Sequence, residues 1–200
     1  MSKARQTKAR IIQQAAEVFN QKGYAGSSLA DIMQATGLKK GGIYNHFASK
    51  DELALAAFDY AVGLMSREVW QAVKTKPNAI ARLEALVSAY LIYVREPPIP
   101  GGCPILNTAT EVDNFDSPLR DRAIAAIDSW RGLIMRIVEK GIKKGEIKGT
   151  VEPDTIATII ICNLEGAIML SQLTKNPIHL QRAIAHLQDY LRENLIDEIH

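Results

Sequence analysis

Apolar residues recur three and four positions apart along most of this chain, and no alternating β-branched runs flank an Asn-Gly or Asp-Gly turn. That pattern predicts an all-α fold. Ile12, Ala15, Ala16 and Phe19 form the first stripe, and Gly23 stands where the helix should stop. Ser27 or Ser28 can cap a short second helix through Ala35, which Gly37 can end in the left-handed conformation. A third segment, Lys39 to Phe47, puts Ile43 and Phe47 on one side, and Ser49 with Glu52 reads as a capping box for a longer helix towards Trp70.

Further along, Asn78 can cap a helix through Leu83, Leu86, Val87 and Tyr90 to about Arg95, where Pro97-Pro98 and Pro100-Gly101-Gly102 break it. A short helix is expected from Pro104 to about Asp113. Ser117-Pro118 then supplies a cap and a first-turn proline for a helix through Ile124, Ile127, Ile134 and Val138, ending near Gly145. Pro153 opens a helix in which Ile156, Ile159, Ile160, Asn163, Leu164, Ala167 and Ile168 alternate spacings of three and one. The last helix, from about Pro177 to Asp197, carries Leu180, Ile184, Leu187, Leu191 and Leu195. The expectation is about nine helices and no internal repeat.

Composition adds an asymmetry. The 200 residues are 47% hydrophobic, ample for a buried core, and Lys plus Arg outnumber Asp plus Glu only by 24 to 22. Residues 1–50, however, hold eight basic side chains against two acidic ones, net +6, while the remainder is net −4. Only the first quarter attracts a polyanion. Cys103 and Cys162 form no disulfide framework or zinc-ligand spacing, and the charged start lacks the apolar stretch of a signal peptide, so a cytoplasmic location is expected. The segment Thr155 to Leu173 is membrane-like but contains Asn163 and Glu165, and it reads as a buried helix rather than a span.

Two short helices joined by a glycine turn, on a three-helix unit of net positive charge, match a helix-turn-helix and suggest DNA binding. Ile32, Leu38, Ile43 and Phe47 can fasten the two helices, leaving Lys39, Lys40, Tyr44, Asn45 and His46 to project outward. Gly41 and Gly42 are poor helix formers, each costing roughly 1 kcal/mol relative to alanine, and close approach of backbone to DNA is one reason for them. The serines and Lys50 can add to a grip on phosphate, with the free N–H groups at a helix start.

The run Gly23-Tyr24-Ala25-Gly26-Ser27-Ser28-Leu29-Ala30-Asp31-Ile32, followed by Leu38-Lys39-Lys40-Gly41-Gly42-Ile43-Tyr44-Asn45-His46-Phe47-Ala48-Ser49-Lys50-Asp51-Glu52, resembles the TetR family of transcriptional regulators. It departs from the family pattern at Lys39, where a capping Ser or Thr is usual and an ammonium cannot accept the capping hydrogen bond. The resemblance implies a DNA-binding domain over 1–48 and an effector-binding and dimerisation domain over 49–200. It implies phosphate contacts for Ser27, Lys40, Tyr44 and Lys50, with Ser28 beside them, and groove-facing roles for Lys39, Gly41, Gly42, Asn45 and His46. It also implies a homodimer on a palindromic double-stranded DNA operator, released by a small apolar or aromatic effector, and repression as the commoner sign. The dimer interface is then expected on the last two helices, at Ile156, Ile160, Leu164, Ile168, Ile184, Leu187, Leu191 and Leu195.

Pocket candidates, chosen because they mix apolar and polar types on the middle helices, are Phe58, Tyr90, Tyr93, Cys103, Asn107, Trp130 and Asn163. Cys103 opens a Gly-Cys-x-hydrophobic-x-Asn stretch similar to one in a subset of these regulators, some of which sense electrophiles or oxidants with that thiol. This is the alternative to a small-molecule effector; a buried structural thiol is the competing reading for both cysteines. An enzyme is the rival class, but Walker, nucleophile-elbow, zinc-protease and dinucleotide motifs are missing. His179 and His186 lack a third nearby ligand, so neither a metal nor any other cofactor is expected.

Overall fold

The computed structural model describes residues 2–112 and 117–196. The expected helix ends at Asp113 and Asp197 lie outside them. Ten helices run through the described residues: α1 (Lys3–Lys22), α2 (Leu29–Thr36), α3 (Lys40–Tyr44), α4 (Lys50–Lys74), α5 (Ala79–Ala89), α6 (Ile92–Arg95), α7 (Pro104–Val112), α8 (Pro118–Lys143), α9 (Pro153–Thr174) and α10 (Ile178–Leu195). The all-helical expectation holds. The tenth helix arises because the stretch expected as one helix from Asn78 to Arg95 breaks at Tyr90. There Tyr90 and Leu91 donate to carbonyls three residues back, the tighter turn interrupts the α-helical ladder, and α6 survives as a single turn.

Local chemistry sets most boundaries. Ser28, rather than Ser27, is the N-cap of α2, in a capping box with Asp31, and Gly37 (φ 67°) ends that helix. Asn78 caps α5, Ser117 caps the start of α8, and Glu152 accepts from the Thr155 N–H ahead of Pro153 in the first turn of α9. Lys39 precedes α3 with no side-chain cap, and that helix is five residues long.

The chain divides into two compact units, residues 1–64 with 98–126, and residues 65–97 with 127–200. This partition differs from the division at 48/49 drawn from the sequence. The core of the first unit joins Ile11, Ala15, Ala16, Ile32, Ile43 and Phe47 to Leu53, Ala57 and Ala61 of α4 and to Ile99. The three-helix head therefore shares one apolar core with the start of α4 and the stretch leading into α7. Each fully buried Ile or Leu there contributes about 1.5–3 kcal/mol.

In the second unit α10 packs along α9 and α5. Gln188 donates to the Ser88 hydroxyl at 2.9 Å, and the buried Leu180 N–H donates to Ser171 Oγ at 3.0 Å. Helix α9 is long and apolar enough by composition to cross a membrane, yet eight of its residues are buried in this unit.

The residues expected at the dimer interface are corrected here. Ile156, Ile160, Leu164, Ile168, Ile184, Leu187, Leu191 and Leu195 are at most 4% exposed, so they form the protomer's own core and offer no surface to a second copy. The outward face of α9 carries Ile159, Cys162, Gly166, Met169, Leu170 and Leu173, with half-buried Glu165 at its border. Met169, Leu170 and Leu173 are exposed. Cys162 is exposed too, against the expectation of a buried thiol, whereas Cys103 is buried.

Candidate nucleic-acid interface

Helices α2 and α3, joined through Gly37, Leu38 and Lys39, form the helix-turn-helix. Its inner side is built from Ile32, Ile43 and Phe47, all buried, with Leu38 packed against them. Fixing these three apolar side chains turns the other positions outward. Lys39, Lys40, Gly41 and Asn45 are exposed, and Gly42, Tyr44 and His46 are half-buried. Lys40 Nζ lies 5.8 Å from the Tyr44 ring centre, within cation–π range. Beside them Lys8 of α1 sits 4.9 Å from the Phe47 ring, adding a cation to the same unit.

The two glycines of α3 have no internal explanation. Neither has positive φ, a Cβ on Gly41 would meet nothing within 4 Å, and one on Gly42 would make only ordinary contact with Leu38. Alanine would fit inside the protomer at both positions and would favour the helix. Without a Cβ, both positions leave room for close approach from outside the protomer. Five residues of α3 sum to little macrodipole, so its start adds little to the positive charge that Lys39 and Lys40 present there.

Three of the residues expected at the DNA surface, Ser27, Ser28 and Lys50, make hydrogen bonds within the protomer. Ser27 is 3% exposed and its hydroxyl donates to the Gly23 carbonyl at 2.5 Å. Ser28 is exposed, but its hydroxyl donates to Asp31 Oδ2 at 2.5 Å and accepts from the Asp31 N–H at 3.2 Å, so its one proton is committed to the cap. Lys22 and then Ser28, both hydrogen-bonded to Asp31, hold that carboxyl below the usual carboxylate range. Lys50 Nζ donates to the Tyr24 carbonyl at 2.7 Å and lies 4.3 Å from the Tyr24 ring centre, so it staples the α1–α2 turn. The sequence alone does not distinguish a polar side chain bonded within the protomer from one left for a ligand.

Tyr24 is held at both ends. Its hydroxyl donates to Asp51 and its N–H donates to Glu111 Oε2 at 2.7 Å. The hydrogen bond to Asp51, with partial burial and the carboxylate charge, pushes the phenol up to about 12. Sequence reasoning gave neither Glu111 nor Asp51 a role, although Asp51 stands within the run that resembles the family.

The pocket candidates fall into both units. In the first, Phe58 and Asn107 border a cavity of about 30 Å³, room for a single water, together with Phe19, Asn20, Tyr24 and Glu111. Cys103 is buried just before α7, and burial of the thiol does not favour the sensor alternative. In the second unit Tyr90 stacks on Trp130 (centroids 4.9 Å, 13° between planes) and on Tyr93 (5.9 Å, 25°). The indole Nε1 of Trp130 is buried and has no hydrogen-bond acceptor among the described residues. Asn163 spends its amide on the Ile159 carbonyl of its own helix at 2.8 Å.

Residues 11–57 match the family model for bacterial regulatory proteins of the tetR family, and residues 79–187 match the tetracyclin repressor-like C-terminal domain. A TetR transcriptional regulator from Chloroflexus aurantiacus J-10-FL is 42% identical, with 98% of each chain covered and a TM-score of 0.94. A TetR-family regulator from Cytophaga hutchinsonii is 34% identical over 99% of each chain, with a TM-score of 0.85. The HTH-type transcriptional repressor DhaR of Mycobacterium sp. (strain GP1) is 24% identical over 83% of this chain and 82% of its own. The chain belongs to the TetR family of DNA-binding, helix-turn-helix transcriptional regulators, which are not enzymes.

Proposed function

We propose that the protein is a cytoplasmic, homodimeric repressor whose affinity for a palindromic operator falls when a small apolar or aromatic effector binds. The observation that carries the DNA-binding part is the Lys39–Asn45 surface, where exposed cations surround glycines that nothing inside the protomer requires. DNA contact is assigned to Lys39, Lys40, Gly41, Gly42, Tyr44, Asn45 and His46 within residues 1–48, although the fold unit that carries them extends further. Effector binding and dimerisation are assigned to residues 49–200. Repression is supported by the relative named as a repressor.

Two observations support the rest. The largely apolar outward face of α9, from Thr155 through Ile159, Cys162, Gly166 and Met169 to Leu173, repeats at spacings of four and three, the register of a helix seam. A second copy using the same face would bury it on both chains around a two-fold axis and set two recognition helices on successive major grooves, about 34–36 Å apart. The buried Trp130 N–H, without an acceptor among the described residues and flanked by stacked Tyr90, favours a planar effector that carries a hydrogen-bond acceptor.

Footprinting of purified protein on genomic DNA, followed by a screen of planar acceptors for operator release, tests the reading. A protected palindrome that opens as Trp130 fluorescence changes is expected. Binding without sequence preference, or release by nothing in the screen while Trp130→Phe behaves as wild type, overturns the repressor or effector part respectively.

A further inference from the structure

Asn107 and Glu111 stand one helical turn apart on α7 and both reach the far end of α1. The Asn107 amide donates to the Asn20 carbonyl and to Asn20 Oδ1, each at 3.1 Å, and to the Gly101 carbonyl at 2.8 Å. Asn20 answers with its own amide, which donates to the Pro100 carbonyl at 2.7 Å and to the Gly102 carbonyl at 3.1 Å. The fit leaves no slack: a Cβ on Gly101 (φ 107°) would come within 2.5 Å of the Asn20 carbonyl oxygen. Glu111 takes the Tyr24 N–H at 2.7 Å, and its other carboxylate oxygen occupies the space a Cβ on Gly23 would need.

Tyr24 begins the turn that ends at Ser28, the N-cap of α2. Its N–H is gripped by α7, and its carbonyl and hydroxyl are gripped by Lys50 and Asp51 of α4. The direction in which the helix-turn-helix leaves α1 is therefore set by a residue clamped from two other helices. Neither Asn107 nor Glu111 is part of the helix-turn-helix, and each lies 87 residues from its partner in α1 or the turn.

We propose that Asn107 and Glu111 are positioning residues for DNA binding, fixing the fraction of molecules in which the α1–α2 turn presents the recognition helix in its binding direction. This rests on the DNA-binding reading of the Lys39–Asn45 surface. A clamp of this kind acts on a population: if only a fraction of the molecules is competent, the apparent Kd rises by the inverse of that fraction at every salt concentration. The bound complex keeps all its phosphate contacts, so the slope of log Kd against log salt is unchanged. Simple electrostatics demands the opposite sign, because deleting a carboxylate from a DNA-binding unit should tighten binding.

The test uses the full chain and a duplex selected from a randomised pool by the wild-type protein, with Kd measured by anisotropy across a salt series at a temperature where thermal melts show every variant folded. Glu111→Ala should raise Kd by about ten-fold in a line parallel to wild type, and Glu111→Gln, which keeps an acceptor for the Tyr24 N–H, should stay within about three-fold. Should Glu111→Ala fail to fold, Asn107→Ala carries the same expectation of a parallel, several-fold loss. Equal binding by all variants, tighter binding by both Glu111 variants, or a slope changed by about one unit overturns the proposal while leaving DNA binding standing. A wild-type chain that selects no duplex overturns both.

Discussion

The Lys50 ammonium donates to the Tyr24 carbonyl across the α1–α2 turn at 2.7 Å, with the Tyr24 ring beneath it. A lysine at the start of α4 thus ties the helix-turn-helix to the rest of its unit instead of standing free for phosphate. The two roles separate in a salt titration. Lys40→Ala, at an exposed position, should weaken binding to all duplexes and flatten the dependence of log K on log salt by about one unit. Lys50→Ala should instead lower thermal stability by about 1 kcal/mol and shift the salt line without flattening it. A one-unit flattening for Lys50→Ala would restore it as a phosphate contact.

Gly41 offers a stability–function trade in one methyl group. With open space around the added Cβ and no positive φ, Gly41→Ala should raise stability, by up to ~1 kcal/mol, through helix propensity alone. The same methyl intrudes between backbone and groove, so affinity for the selected duplex should drop at least about ten-fold, the scale of one lost base contact. Denaturant melts and anisotropy on the same preparation check both signs. A stabilised variant with wild-type affinity would remove Gly41 from the interface.

Tyr24 supplies a pH signature. Its phenol ionises near 12 in the folded chain, against an ordinary value of 10.0, because the neutral hydroxyl donates to Asp51. A raised folded value means the stabilisation is fully present below the unfolded value and is lost as pH climbs from about 10 to about 12. Ultraviolet difference titration of wild type against Tyr24→Phe should isolate this late phenolate. In Asp51→Ala the midpoint should move back towards the ordinary value. An unshifted midpoint in Asp51→Ala would show that burial, not the hydrogen bond, holds the proton.

How much of this was legible depended on how far apart the partners lie. The helix-turn-helix is written in neighbours: Ser28 with Asp31, Gly37 at the turn, Ile43 four residues before Phe47. The clamp is not, because Asn20 meets Asn107, and Tyr24 meets Glu111, across 87 residues with no local pattern to announce either pair. Sequence type alone offers Asn107 as a pocket residue; the structure adds that its amide is spent on α1 and Gly101. Helix α9 defeated face assignment for a different reason. Ile156, Ile160, Leu164 and Ile168 point into the core while Ile159, Met169, Leu170 and Leu173 point away, and a helix apolar on both sides does not disclose which side is inward.

That two-sided helix yields opposite outcomes for substitutions a few residues apart. Leu164 is fully buried in the protomer, so Leu164→Ala should cost about 2–5 kcal/mol of stability through the lost contacts and the cavity left behind. Leu173 is 78% exposed, so Leu173→Glu should cost the isolated fold little. If the outward face of α9 is the seam between two copies, placing a carboxylate on each side of it should instead shift the particle to monomer mass in sedimentation equilibrium. It should also weaken binding to a palindrome far more than binding to a half-site. Cys162, on the same face, gives an independent reading: maleimide should label it slowly in the wild-type dimer and quickly in the Leu173→Glu monomer, with buried Cys103 unlabelled in both. Rapid labelling of Cys162 in a particle of dimer mass would place the contact on another surface.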